Sequence, residues 1–261
     1  MGKTILDKII ANKRLEVERQ KGIVPFESLL SLERKRDQFS LKTHLLKEGS
    51  SGVIAEFKRR SPSKGWINKD AVAGQIVPGY ENAGVGGLSI LTDEVFFGGG
   101  LTDITEAGGL VALPILRKDF IIDEYQIVES AKLGADAILL IAANLSAKRV
   151  EQLAKLAKQN ELEVLLEIHN SKELAHICPE VDLVGVNNRD LHTFKTDLQI
   201  SIDLGALIPE GFVKISESGI DHPDDIRRLR DNGFTGFLIG ERFMKTNDPA
   251  EACREFIAAL N

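Results

Sequence analysis

The chain has 261 residues, 43% of them hydrophobic, which suits one large α/β domain or two small ones with a real core. A formal net charge of -6 argues against a general nucleic-acid binder while leaving room for a local basic pocket. The two cysteines, Cys178 and Cys253, are too few for a disulfide framework and are not spaced as a metal pair, and no apolar run is long enough to span a membrane. The expectation is a soluble, reduced, cytoplasmic protein with no nucleic-acid or membrane partner.

The opening stretch MGKTILDKIIANKRLEVERQKG is charged throughout and reads as an amphipathic helix, without the apolar centre of a signal peptide. It belongs to a segment, residues 1–48, expected to form one or two helices that cover one end of the fold. Short β-rich runs then alternate with helical stretches. VIAEFK starts at Val53, GLSILT at Gly87, PILRKD at Pro114 and AILLIA at Ala137; VLLEIH starts at Val164, LVGVNN at Leu183, VKISES at Val213 and GFLIG at Gly236. Most are apolar on both faces, as parallel strands covered by helices should be. Between them, SAKRVEQLAKLAKQNEL begins at an N-cap, Ser146. DEYQIVESAKLGAD and HPDDIRRLRDNGF end near Gly134 and Gly233. In AVAGQIVPGYENAGVGG, Pro78 and Gly79 are expected to kink or break any helix. LTDITEAGGL, with Gly108 and Gly109, predicts only a short or irregular one. Eight βα units over about 210 residues predict an α/β fold of the (β/α)8 TIM-barrel type, with residues 1–261 forming a single domain. An open doubly wound sheet is the competitor; its dinucleotide-binding form is weakened because no GxGxxG follows the first strand.

Barrels of this kind carry their active site at the C-terminal strand ends. On the first strand, alternation puts Ile54, Glu56 and Lys58 on one side and Val53, Ala55 and Phe57 on the other. That strand ends in Glu56, Lys58 and then Ser61; the third ends in Lys118, the fifth in Glu167 and His169, and the sixth in Asn187 followed by Arg189. The seventh ends in Glu217, Ser218 and Gly219, and the eighth in Gly240. Each has an ordinary explanation. Lys58, Arg59 and Arg60 can be a solvated strand end, and Glu167 a structural partner of Lys118. His169 can be a polar residue at a strand exit, Phe97 and Phe120 core, and Asn187 a turn former; Arg117 and Asp119 read as ion-pair partners on the opposite face. Taken together, these explanations would leave three carboxylates and two lysines in one barrel mouth, where a buried unpaired charge costs several kcal/mol. SESGI and FLIGE follow the last two strands, where barrels commonly hold a phosphate, and Gly219 and Gly240 let backbone N–H groups approach an anion. There is no P-loop, HExxH, EF-hand loop or metal-spaced histidine cluster.

Eight motifs then stand in order along the barrel: IAEFKRRSPSKG, LSILTDEVFFGG, LRKDFIIDEYQI, ADAILLIAANL, LLEIHN, GVNNRDL, SESGI and FLIGERFM. Together they resemble the indole-3-glycerol-phosphate synthase family of tryptophan biosynthesis, with EFKRRSPS the most specific block. The resemblance implies a (β/α)8 barrel with an N-terminal helical extension and neither metal nor organic cofactor. It implies a substrate, 1-(2-carboxyphenylamino)-1-deoxyribulose 5-phosphate, whose indole ring is closed with loss of carbon dioxide and water. By the same resemblance Lys118 is the general acid of ring closure and Glu167 the general base. Lys58 serves as acid in one step, the division between the two lysines staying open, and Glu56 holds Lys58. Asn187 and Glu217 orient substrate and stabilise the transition state, and Arg189 lies near the substrate carboxylate and sugar. Phosphate falls to Lys58, Ser61, Ser218, Gly219, Gly240 and the backbone of Glu241; Phe97, Phe120, Leu139 and Leu191 form a pocket for the anthranilate ring. Transient contact with other tryptophan-pathway enzymes is the implied protein partnership. A Schiff-base aldolase on the same barrel and a non-catalytic phosphosugar-binding subunit are the two competing readings.

Overall fold

The computed structural model of the chain describes residues 4–190 and 193–260. The eight apolar runs are eight strands: β1 Val53–Phe57, β2 Gly87–Leu91, β3 Ile115–Lys118, β4 Ala137–Ile141, β5 Glu163–Ile168, β6 Leu183–Asn187, β7 Val213–Glu217 and β8 Gly236–Ile239. Each pairs in parallel with its neighbour in sequence, and β8 closes on β1, so the sheet is a closed (β/α)8 or TIM barrel. Ile54 of β1 stands opposite Gly87 on one side and Leu238 on the other.

The period of two sorts the side chains. Ile54, Leu116, Leu139, Leu165, Ile215 and Leu238 fill the barrel. Val53, Ala55, Phe57, Ile90, Val164 and Leu166 belong instead to the layer beneath the helices. Both sets are buried, which is why the strands read as unbroken apolar runs.

Local signals set the helix ends. Ser146 accepts the N–H of Arg149 and starts a helix over Ala147–Gln159. Gly134, at φ 94°, ends the helix Glu124–Leu133. The break expected at Pro78 does not occur. A helix runs unbroken over Ala73–Asn82 with Pro78 inside it. Burial of Ala73, Ile76, Val77 and Tyr80 outweighs the lost hydrogen bond. Gly79 is needed there, because a Cβ would lie 2.3 Å from the Cβ of Ala250 on the helix Pro249–Ala258. At the second doubtful place a regular but short helix covers Leu101–Gly108.

Three helices, rather than one or two, precede β1: α1 Ile5–Ile23, α2 Phe26–Leu30 and α3 Leu41–Leu46. They do not gather at one end. α1 lies across the mouth, where Ile5, Leu6 and Ile9 line the cavity above the strand ends. α3 packs Leu41 and Leu45 into the interior apolar cluster from the opposite end, against Gly87 and Gly236 at the strand starts. α1 begins with a capping box between Thr4 and Asp7 and buries Ile9, Lys13 and Val17. Among the described residues no helix is long and apolar enough to cross a membrane.

Candidate active site

Strand ends are where the closed ladder stops and inward side chains meet the cavity. Glu56, Lys58, Lys118, Glu167, Asn187 and Glu217 all line one cavity at the C-terminal ends of the strands, together with Arg189, Ser61, Ser218 and Glu241. Phe97, Phe120 and Leu139 form its apolar side, the two phenyl rings 6.0 Å apart between centroids. Gly219 and Gly240 line the adjoining recess, which shares Glu56, Lys58, Arg189, Ser218 and Glu241 with the main cavity. Leu191 lies outside the described residues.

Lys118 is the centre of the charge arrangement. Its Nζ donates to Glu167 Oε2 at 2.9 Å and lies 3.0 Å from Glu217 Oε2. Burial works against the ammonium, but the carboxylates of Glu167, Glu217 and Glu56 more than offset it and hold its pKa above the ordinary lysine value. Glu167 moves the other way: burial would raise its pKa, yet Lys118 and His169 hold it well below the usual carboxylate range. Glu217 is pushed up to about 7, by burial first and also by the neighbouring Glu167 and Glu56, against the pull of Lys118. Two inward glutamates with pKa values driven apart around one half-buried lysine are a common arrangement for acid–base chemistry.

Lys58 forms a second pair, its Nζ donating to Glu56 Oε1 at 2.6 Å, while Ser89 Oγ approaches Glu56 Oε2 at 3.4 Å. The adjacent arginines serve the scaffold: Arg59 makes a bidentate contact with Asp103 at 2.6 and 2.8 Å. Arg117 points to the outer face, with Glu129 at 2.8 Å and Asp119 at 3.1 Å; Asp119, past the strand end, also reaches the cavity lining.

The recess has little side-chain bulk and an unusual backbone. Ser218 and Gly219 are both left-handed, at φ 70° and 77°. For a serine this costs on the order of 1 kcal/mol or more. Asn188 holds the turn: its Nδ2 donates to the Ser218 carbonyl at 3.0 Å and to Ser216 Oγ at 2.9 Å. Arg189 and Lys64 stand 3.8 and 3.9 Å from the two oxygens of Glu241, which neutralises that carboxylate beside the recess.

Several lining groups escaped sequence reasoning. Ile141 and Leu238 are inward strand residues that alternation could have supplied. Ile5, Leu6 and Ile9 come from a helix whose docking place no local pattern gives. Gly185 contributes by what it lacks, since a Cβ there would lie 2.2 Å from Glu217 Oε1; at Gly240, already expected at the phosphate end, a Cβ would lie 2.6 Å from Glu56 Oε1.

Fold and site together define a TIM-barrel enzyme with a buried acid–base cluster. A family model described as indole-3-glycerol phosphate synthase matches residues 6–256. A protein of Bacteroides thetaiotaomicron named indole-3-glycerol phosphate synthase is 51% identical, over 99% of this chain and 99% of its own length. Proteins of the same name from Thermoanaerobacter pseudethanolicus and Bordetella pertussis are 43% and 39% identical, each over 97% of this chain and over 97% and 99% of their own lengths. The chain belongs to the indole-3-glycerol phosphate synthase family. Its fold is also similar to the tryptophan synthase alpha subunit of Legionella pneumophila, with a TM-score of 0.62 at 10% identity over 84% of this chain and 96% of that one. A chain of the tryptophan synthase complex of Pyrococcus furiosus gives 0.59 at 12%, over 81% and 98%. At such identities the likeness is of fold alone.

Proposed function

We propose that this chain closes the indole ring of 1-(2-carboxyphenylamino)-1-deoxyribulose 5-phosphate, with loss of carbon dioxide and water, to give indole-3-glycerol phosphate. The observation that carries the reading is the shared lysine: Lys118 lies within 3.0 Å of both Glu167 and Glu217, between an aromatic wall and a glycine-lined recess. That layout suits a substrate with an aryl group at one end and a phosphate at the other.

The chemistry follows from the charges. The ring carbon bearing the carboxylate attacks the ketone carbon, and Lys118 delivers a proton to the ketone oxygen as the new bond forms. The carboxylate then leaves as carbon dioxide, and its bonding electrons restore the aromatic ring. The hydroxyl departs as water with a proton from Lys58, or from Lys118 once a solvent proton has restored its ammonium, and Glu167 removes a proton from the five-membered ring. Glu56 holds Lys58 in place, and Asn187 and Glu217 orient the reacting part. Phe97, Phe120 and Leu139 receive the aryl ring, with Leu191 assigned to the same wall. Arg189 faces the carboxylate and sugar; Lys58, Ser61, Ser218, Gly219, Gly240 and the Glu241 backbone receive the phosphate. The chain works as a single barrel unit to which its N-terminal helices belong.

The purified chain incubated with this substrate is expected to produce the fluorescence of indole-3-glycerol phosphate without added metal or cofactor. Absence of product would overturn the reading. The raised pKa of Lys118 supports an acid over a neutral amine nucleophile. Borohydride is therefore expected to trap no covalent adduct, and a trapped lysine would favour Schiff-base chemistry.

A further inference from the structure

His169 lies half-buried beside Glu167, and the steps above give it no part. It follows β5 directly, with Nε2 3.2 Å from Glu167 Oε1 and Nδ1 3.4 Å from Glu173 Oε2. Glu173 sits on the 3-10 turn Ser171–His176. Its Oε2 also accepts the backbone N–H of His169 at 2.7 Å, and its Oε1 accepts from Asn170 Nδ2 at 2.6 Å. The imidazole therefore stands in charge contact with one carboxylate from the strand and one from the turn, with neither ring nitrogen in hydrogen-bond geometry. Burial disfavours the imidazolium, but Glu167 and Glu173 more than offset this and push it up to about 10. At neutral pH both ring nitrogens carry a proton. Two further charged groups stand at Glu167: Lys118, which comes from β3 and occupies the other oxygen, Oε2, at 2.9 Å, and Glu217 of β7, which shares that ammonium at 3.0 Å and repels the Glu167 carboxylate.

The two oxygens of Glu167 thus have separate partners, and only one partner is needed elsewhere during the reaction. We propose that His169 is a positioning residue for Glu167: anchored by Glu173, it grips Oε1 and keeps the carboxylate aimed when Lys118 leaves Oε2 for the substrate. Without that second grip, the departure of Lys118 would leave a buried carboxylate with no cation beside it. Such a group takes up a proton and ceases to be a base. A doubly protonated imidazole has no lone pair to accept a proton, so it holds the base and does not relieve it of its load. This inference rests on the assignment of Glu167 as the base of the proposed reaction.

The test is the pH profile of kcat and KM for His169→Leu and His169→Gln beside the wild-type chain. His169→Leu is expected to lower kcat about 30-fold, with KM changed less than about threefold. It is also expected to move the acidic limb of kcat upward by about one pH unit, because Glu167 loses a facing cation. His169→Gln, which keeps an N–H donor near the Nε2 position but no charge, is expected to regain part of kcat while showing the same limb shift. Should His169→Leu fail to fold, the Gln variant carries the test alone. An active wild type beside variants with unchanged kcat and an unchanged acidic limb overturns this inference only. A wild-type chain that makes no product overturns it together with the function on which it rests.

Discussion

Lys13 Nζ lies 2.8 Å from Asp119 Oδ1, and neither side chain has any exposure. The contact ties α1 to the residue that follows Lys118, and the same ammonium reaches Asp93 at 3.2 Å and Glu16 at 2.8 Å. Burial would lower the Lys13 pKa, but these carboxylates overturn that and raise it. Burial would likewise raise Asp119, but Lys13 and Arg117 hold it down to about 2.

Lys13→Met leaves Asp119 and Asp93 buried without that cation. A loss of about 3–5 kcal/mol in unfolding free energy is expected, read from urea denaturation. KM should rise as well, because α1 carries Ile5, Leu6 and Ile9 on the cavity wall. An unfolding midpoint equal to that of the wild type would show that the cluster contributes no net stability.

Lys118→Ala removes the proposed acid while leaving the aromatic wall and the recess in place. Turnover is expected to fall at least about a thousandfold, with product-analogue affinity kept within about tenfold. A variant that no longer folds would assign Lys118 to the scaffold instead.

Glu217, raised to about 7, binds its proton more tightly folded than unfolded, where the ordinary value is 4.5. Folding takes up a proton between those values. Its stabilising contribution is therefore complete below pH 4.5 and lost as pH rises through about 7. Glu167, held low, behaves oppositely and loses its contribution only in acid. Glu217→Gln, neutral throughout, should gain stability relative to wild type by on the order of 3 kcal/mol between about pH 4.5 and about pH 8. Denaturation curves at several pH values check this, and a constant difference would refute a raised Glu217.

Gly185→Ala would put a Cβ 2.2 Å from Glu217 Oε1 and 3.2 Å from a Leu165 methyl. Displacing Glu217 should cut kcat/KM by about tenfold or more, with about 1–3 kcal/mol of stability lost to overpacking. Steady-state kinetics beside thermal melts would separate the two effects; unchanged kinetics would release Glu217 from the site.

The barrel was legible because its code is local. Eight runs apolar on both faces, spaced by helical stretches, leave few alternatives. The same alternation turned Glu56, Lys58, Lys118, Glu167 and Glu217 inward and Arg117 outward, as the cavity and the ion pairs show. What alternation cannot supply is docking. Lys13 lies on a helix whose surface pattern does not reveal that Asp93 and Asp119 receive it. The helix continues through Pro78 because its stability comes from packing, which outweighs a propensity penalty and leaves no mark in the local sequence. His169 was seen at the strand exit, but its partner Glu173 lies on a turn whose course the sequence pattern leaves open.

The plug at the floor of the barrel has a consequence for how the molecule is made. Leu41 and Leu45 precede every barrel strand in the chain, yet one of the surfaces they rest on, Gly236, belongs to the last strand. The seat they need does not exist until that strand has joined the first. The first part of the barrel's lining in chain order is thus among the last to settle, because its seat is completed only by the far end of the sheet.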